Sequence, residues 1–150
     1  MLGLLKGLKT TLWFFFRPKV TVQYPNQKRE YSQRFRGLHE LTRRPDGLEK
    51  CVGCELCAGA CPTGCITVVG AENDPAHPHS SGERYAAVWQ VNILRCIFCG
   101  ICQEACPTGA LHLTRFNELA DYSREIEIYT KDRLLEPPAG SPKIGKEVLG

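Results

Sequence analysis

Residues 51–65 read CVGCELCAGACPTGC, and a near copy, CIFCGICQEACPTGA, occupies residues 96–110. Both follow the pattern C-x2-C-x2-C-x3-C-P, and they realign at a constant offset of 45 residues with the prolines in register. Self-similarity of this kind means that one supersecondary unit has been used twice. Each unit offers a cysteine-rich loop, a short helix ending at the fourth cysteine (AGAC, QEAC), a Pro-Thr-Gly turn and a short strand, at 66–69 and 111–113. Residues 85–94 (YAAVWQVNIL) are rich in β-branched and aromatic side chains and predict a further strand. The repeats, 51–69 and 96–113, are joined by a polar, turn-forming surface loop over 70–84. Residues 117–123 hold a candidate helix, and 137–150, PPAGSPKIGKEVLG, predict an extended tail.

Three cysteines within seven residues can wrap one face of an iron-sulphur cubane, because each thiolate goes to a different iron and the loop need only curve around the cluster. The fourth is carried away by the helix. The run resembles that of bacterial two-cluster ferredoxins, in which the fourth cysteine ligates the other cluster. That resemblance implies that Cys51, Cys54, Cys57 and Cys106 hold one 4Fe-4S cluster, and that Cys61, Cys96, Cys99 and Cys102 hold the second. The crossing then stitches the two halves of the chain together. Structural zinc is the rival: it takes paired C-x2-C ligands separated by a longer span. Eight cysteines could close two zinc sites, but the third cysteine at the same spacing and the following proline, each present twice, favour iron. Eight ligands out of nine cysteines leave Cys65, whose repeat partner is Ala110, so the position calls for a small apolar side chain and a free cysteine packs as one.

With 150 residues the chain is expected to form one domain whose modest core benefits from staples. The odd cysteine count is awkward for a disulfide framework, and the N-terminus, MLGLLKGLKTTLWFFFRPKV, lacks the features of an export signal, so reduced thiols in a cytoplasm are expected. That N-terminus is too short to cross a bilayer, which needs roughly 20 apolar residues. Placed on a helix it aligns Leu5, Leu8, Leu12, Phe15 and Phe16 in one stripe, and with Trp13 beside lysine and arginine it suits a membrane interface or a hydrophobic partner. Residues 1–50 carry eleven Lys and Arg against four Asp and Glu, whereas the remainder is net negative. A basic arm of this kind suits anionic lipid, acidic subunits or nucleic acid. Lys50 and Arg95 each precede a first ligand and are candidates to offset cluster charge. There is no dinucleotide turn, no phosphate loop and no nucleophile with its base, so no substrate-converting site is expected; His77 and His79 fall in the polar loop.

The residues around the cysteines are more specific than the cysteines. YPNQKREYSQRFRGLHELTRRPDGLEKCVGCELC (24–57) and RYAAVWQVNILRCIFCGICQEACPTGAL (84–111) resemble the two-cluster ferredoxin-like subunit I of respiratory complex I, the proton-pumping NADH:quinone oxidoreductase. The resemblance implies an α+β fold: a two-cluster ferredoxin-like core of short strands and helices at 46–115, an N-terminal amphipathic helix and basic docking arm at 1–45, and a docking extension at 116–150. It implies an electron relay through two 4Fe-4S clusters in the peripheral arm, passing electrons towards a terminal cluster in a neighbouring subunit and so to quinone. It further implies a peripheral position on the cytoplasmic side of a bacterial plasma membrane, with contact through Leu5, Leu8, Leu12, Trp13 and Phe15. Arg36, His39, Arg43 and Arg44 become subunit-interface residues, and nucleic acid is not a partner. Cys65 departs from the family, which mostly has a small residue there. The alternatives are the corresponding subunit of a membrane hydrogenase or a ferredoxin-fed quinone reductase, a free soluble ferredoxin, and a zinc-dependent nucleic-acid-binding module.

Overall fold

The computed structural model describes residues 2–136, so the expected tail at 137–150 lies outside the described residues. The chain divides between Tyr31 and Ser32 into two compact units. The first contains helix α1, Leu2–Phe15, none of whose residues is buried. Thr10 and Thr11 turn their hydroxyls back onto the carbonyls of Lys6 and Leu8, at 3.0 and 2.9 Å, which removes those polar groups from the helix surface. After the helix, the Arg17 guanidinium lies 3.7 Å above the Trp13 ring, a cation-π contact at the helix end.

The second unit carries both cysteine runs. In chain order it contains β1 (His39–Leu41), α2 (Leu56–Gly59), β2 (Ile66–Glu72), β3 (Arg84–Asn92), α3 (Ile101–Glu104), β4 (Leu111–Leu113), β5 (Ile128–Thr130) and α4 (Lys131–Leu135). Both expected helices of the repeat are present, each one turn long and ending just before the fourth cysteine. Both repeat strands are present, the first running three residues beyond its predicted end.

Two antiparallel sheets result. β2, β3 and β5 form one, in that order, and β1 pairs with β4 in the other, His39 opposite Leu113 and Leu41 opposite Leu111. In the larger sheet β2 and β3 pair from Ile66↔Val91 to Glu72↔Arg84, with an irregularity where Val69 faces Val88 and Gly70 faces Ala86. The extra residue, Ala87, is a bulge, and it reverses the parity of the strand. Trp89 and Val91 point into the core on one side of it, and Ala86 on the other, all at most 1 % exposed. Leu38, Leu41, Ile66, Leu111 and Leu134 complete a core small enough that several cysteines belong to it.

One ion pair is enclosed with that core. Glu49, two residues before the first ligand, meets the Lys131 ammonium at 3.1 Å, and Lys131 also donates to the carbonyl of Ala86 at 3.0 Å. A single side chain thereby ties α4, β3 and the approach to Cys51 together.

The candidate helix at 117–123 is not formed: the segment between β4 and β5 is irregular. The backbone leading into it is committed elsewhere, since Thr114 and Phe116 accept from the N-H groups of Gly37 and Leu38 at 2.7 and 2.8 Å. The polar connection does form as a surface loop, shortened by the longer β2. Asn73 organises it, donating to Ser80 and Gly82 carbonyls and accepting from the His79 N-H.

Candidate metal centres

The two cysteine loops share a backbone device. At matching repeat positions the chain enters the left-handed region twice: Gly53 and Glu55 in the first loop (φ 63° and 64°), Phe98 and Gly100 in the second (φ 52° and 84°). Glycine sits first in one loop and second in the other, so the conformation is kept although the residue types are exchanged. Left-handed residues among right-handed ones curl the loop and turn successive side chains to its inside. At Gly53 the requirement is doubled, because a Cβ there would lie 2.6 Å from the Tyr85 carbonyl oxygen. Gly53→Ala is expected to cost about 2 kcal/mol and to displace Cys51 and Cys54. The check is a lowered Tm together with loss of the first cluster's spectrum, the second being retained.

The cysteines sort into two enclosed cavities. One is lined by Cys51, Cys54, Cys57 and Cys106, with apolar walls that include Leu41, Trp89 and Leu111. The other is lined by Cys61, Cys96, Cys99 and Cys102, together with Cys65, His39 and Ile66. Each thus takes three thiols from one run and the fourth from the other. Among the described residues no three His, Cys, Asp or Glu side chains converge as a single metal ion requires. Thiols spread around a cavity wall, one for each iron, fit a cubane better than they fit a zinc tetrahedron. A wide surface depression beside the 73–83 loop contains no cysteine.

The two fourth cysteines differ in their chemistry from Cys51, Cys57, Cys96 and Cys102. Although burial opposes it, hydrogen bonds from Thr63 and from the backbone of Cys65 bring the Cys61 thiol down to about 7. Cys106 is likewise lowered against burial by Thr108 and by the backbone of Leu111 and Ala110. The Thr63 and Thr108 hydroxyls lie 3.5 and 3.6 Å from the sulphurs of Cys61 and Cys106. The Pro-Thr-Gly sequence is therefore more than a turn signal: its hydroxyl and N-H groups stabilise a thiolate. Burial raises Cys51, Cys57 and Cys96, and pushes Cys102 up to about 12, so cluster binding must displace protons from those thiols.

Two residues ahead of the first run reach the second. His39 is 2 % exposed, and its Nε2 lies 3.9 Å from the Cys96 sulphur. Burial lowers it to about 4, which leaves a neutral imidazole at pH 7. Arg36 donates to the carbonyl of Cys99, and its guanidinium occupies the space where a side chain at Gly100 would go. His39 thus faces the interior, contrary to its expected role at a subunit interface, because β1 is covered on both sides. Lys50 is half-buried and Arg95 is exposed; Arg36 is the cation that holds the ligand loop. His77 and His79 are exposed, and His79 stacks on Tyr85 at 4.4 Å. Spacing could not have found Arg36 or His39, although both stand in the Arg36-Gly37-x-His39 segment that carries the resemblance.

The geometry has counterparts among known proteins. The 4Fe-4S dicluster domain family matches residues 50–110. A curated relative, NADH-quinone oxidoreductase subunit I 1 of Symbiobacterium thermophilum, is 58 % identical over 130 residues, covering 87 % of this chain and 80 % of its own length. Among solved structures, a chain of the membrane-bound sulfane sulfur reductase, an archaeal respiratory membrane complex, superposes with a TM-score of 0.51 at 29 % identity. That match covers 77 % of this chain, which spans 55 % of the other's length.

Proposed function

Because the chain belongs to the NADH-quinone oxidoreductase subunit I family, we propose that its two thiol-lined cavities are the two stations of an electron relay inside that complex. The chain carries two 4Fe-4S clusters, each of which takes up and gives up one electron at a time when bound. Cys51, Cys54, Cys57 and Cys106 hold the first; Cys61, Cys96, Cys99 and Cys102 hold the second. The observation that carries the assignment is the sorting of the eight thiols into two cavities, each completed by the opposite run.

The chain's own residues orient and insulate. Thr63, Thr108 and the turn N-H groups hold negative charge on the two crossing sulphurs. Trp89, Leu41, Leu111 and Ile66 keep water from the cavity walls, and with no substrate bond made or broken the relay needs no general acid or base. Electrons leave for a terminal cluster in a neighbouring subunit and from there to quinone. The native complex, purified anaerobically, tests this: NADH should reduce both clusters, with about eight irons per copy of this chain. A chain recovered free of any complex, or clusters silent to NADH, overturns the assignment. The likeness to a chain of the sulfane sulfur reductase, an archaeal respiratory membrane complex, favours one second reading, the corresponding relay subunit of a related membrane-bound respiratory complex, in which NADH leaves both clusters oxidised.

Among the described residues no helix is long and apolar enough to cross a membrane. Leu5, Leu8, Leu12, Trp13 and Phe15 of α1 are all more than half exposed, and they form an apolar stripe flanked by Lys6, Lys9 and Arg17. This stripe supports a peripheral position with the helix in the interface plane and its cations among the headgroups, and our reading puts it on the cytoplasmic side of a bacterial plasma membrane. Leu8→Glu together with Leu12→Glu is expected to shift most of the complex, or of the subunit alone, from membrane to soluble fractions after mild washing. Unchanged retention sinks the docking role of α1.

A further inference from the structure

The repeat makes the two centres near copies, and one side chain makes them unequal. Each fourth cysteine accepts from the hydroxyl two residues on and from the backbone four residues on: Thr63 and Cys65 for Cys61, Thr108 and Ala110 for Cys106. The Ala110 N-H lies 3.3 Å from the Cys106 sulphur. Only at Cys61 does the side chain of that last residue also take part. Cys65 is 5 % exposed, its sulphur lies 3.4 Å from that of Cys61, and it shares the cavity wall with all four proposed ligands of the second cluster. Cys96, another proposed ligand, lines the same cavity. Packing accounts for its burial but not for a fifth sulphur set 3.4 Å from a proposed ligand sulphur.

We propose that Cys65 is a positioning residue for the second cluster: its S-H donates to the Cys61 sulphur and makes that cluster easier to reduce than its Ala110-flanked copy. A ligand thiolate is the acceptor, an ordinary thiol is protonated at neutral pH, and the chain moves no proton when the electron arrives. Each electron adds negative charge that spreads onto the ligand sulphurs, so a donor aimed at one of them is worth more in the reduced state than in the oxidised one. Hydrogen bonds to sulphur are among the established controls of cluster potential, and here the repeat supplies an internal control. The inference rests on the crossed ligand sets proposed above.

The test is an EPR-monitored redox titration of the full-length chain carrying both clusters. Cys65→Ala should lower the reduction equilibrium constant of one cluster about three- to tenfold, a tenfold change being about 59 mV for one electron. The other cluster should stay in place. Cys65→Ser, which retains a donor, should restore most of the shift, and Ala110→Cys should raise the potential of the cluster that Cys65→Ala leaves alone. Potentials unmoved in Cys65→Ala, or Ser and Ala shifting equally, overturn the hydrogen bond as the cause. If Cys65→Ala fails to hold its cluster, Ala110→Cys decides by itself, and no rise there sinks the inference. If Cys65→Ala moves the cluster held by Cys51, Cys54 and Cys57 instead of the one held by Cys96, Cys99 and Cys102, it is the crossed ligation that fails.

Discussion

Cys61→Ser damages the cluster built on the second run, and Cys106→Ser damages the one built on the first. This is the largest effect expected of any single substitution in the chain, and its sign runs against sequence proximity. Cys61 lies four residues from Cys57, yet the two sulphurs line different cavities. Serine is a harder and far less acidic ligand, so the affected centre should be lost or converted to a three-iron form, with its EPR signal removed and the other retained. Loss confined to the cluster of Cys51, Cys54 and Cys57 in the Cys61 variant refutes the crossed assignment. Folding should suffer in both variants, because ligand bonds between the runs contribute directly to the stability of the unit.

Lys131→Met should destabilise the holoprotein by about 3 kcal/mol without touching a ligand. The Glu49 and Lys131 side chains are only 8 % and 15 % exposed, and Glu49 already has one carboxylate oxygen without a partner. Removing the ammonium strands a buried carboxylate, where an unpaired charge costs far more than the pair itself contributes. The double variant Glu49→Gln, Lys131→Met should recover most of the loss, since it removes both charges together. The readout is Tm or the denaturant midpoint with both clusters loaded. A single variant as stable as the parent shows that water reaches Glu49 and that the pair is a surface contact.

The two-run organisation was legible because spacing encodes it twice. Two runs in register leave little freedom for helix, turn and strand, and α2, α3 and β4 fell where the repeat placed them. What lay outside the repeat was harder to read. β1 is three residues, all buried, so it shows none of the alternation that marks a strand with one wet face. β5 is equally short and runs directly into α4, leaving no turn signal between them. The apparent helical pattern at 117–123 belongs instead to a segment whose Leu119 packs against the core as irregular chain. Tertiary contacts decided all three, and no local signal carries them. The same holds for Arg36 and His39, single residues whose partners Cys99 and Cys96 lie far along the chain. The Thr63 and Thr108 hydroxyls were visible as identical letters in both turns, but their role required knowing that the turn folds back on the preceding sulphur.

The crossing has a further effect during synthesis. On the ribosome, Cys51, Cys54 and Cys57 emerge well before Cys106, and β1 emerges before the β4 that pairs with it. At ordinary elongation rates that interval lasts seconds, during which a half-made protein exposes thiols and an unpaired strand with nothing of its own to close on. With the proposed crossed ligand sets, neither metal centre can be completed until nearly the whole second run has left the exit tunnel. On that assignment loading is an event of the finished domain, and newborn chains depend on reducing surroundings and on the supply of assembled clusters for the time between the first cysteine and the last.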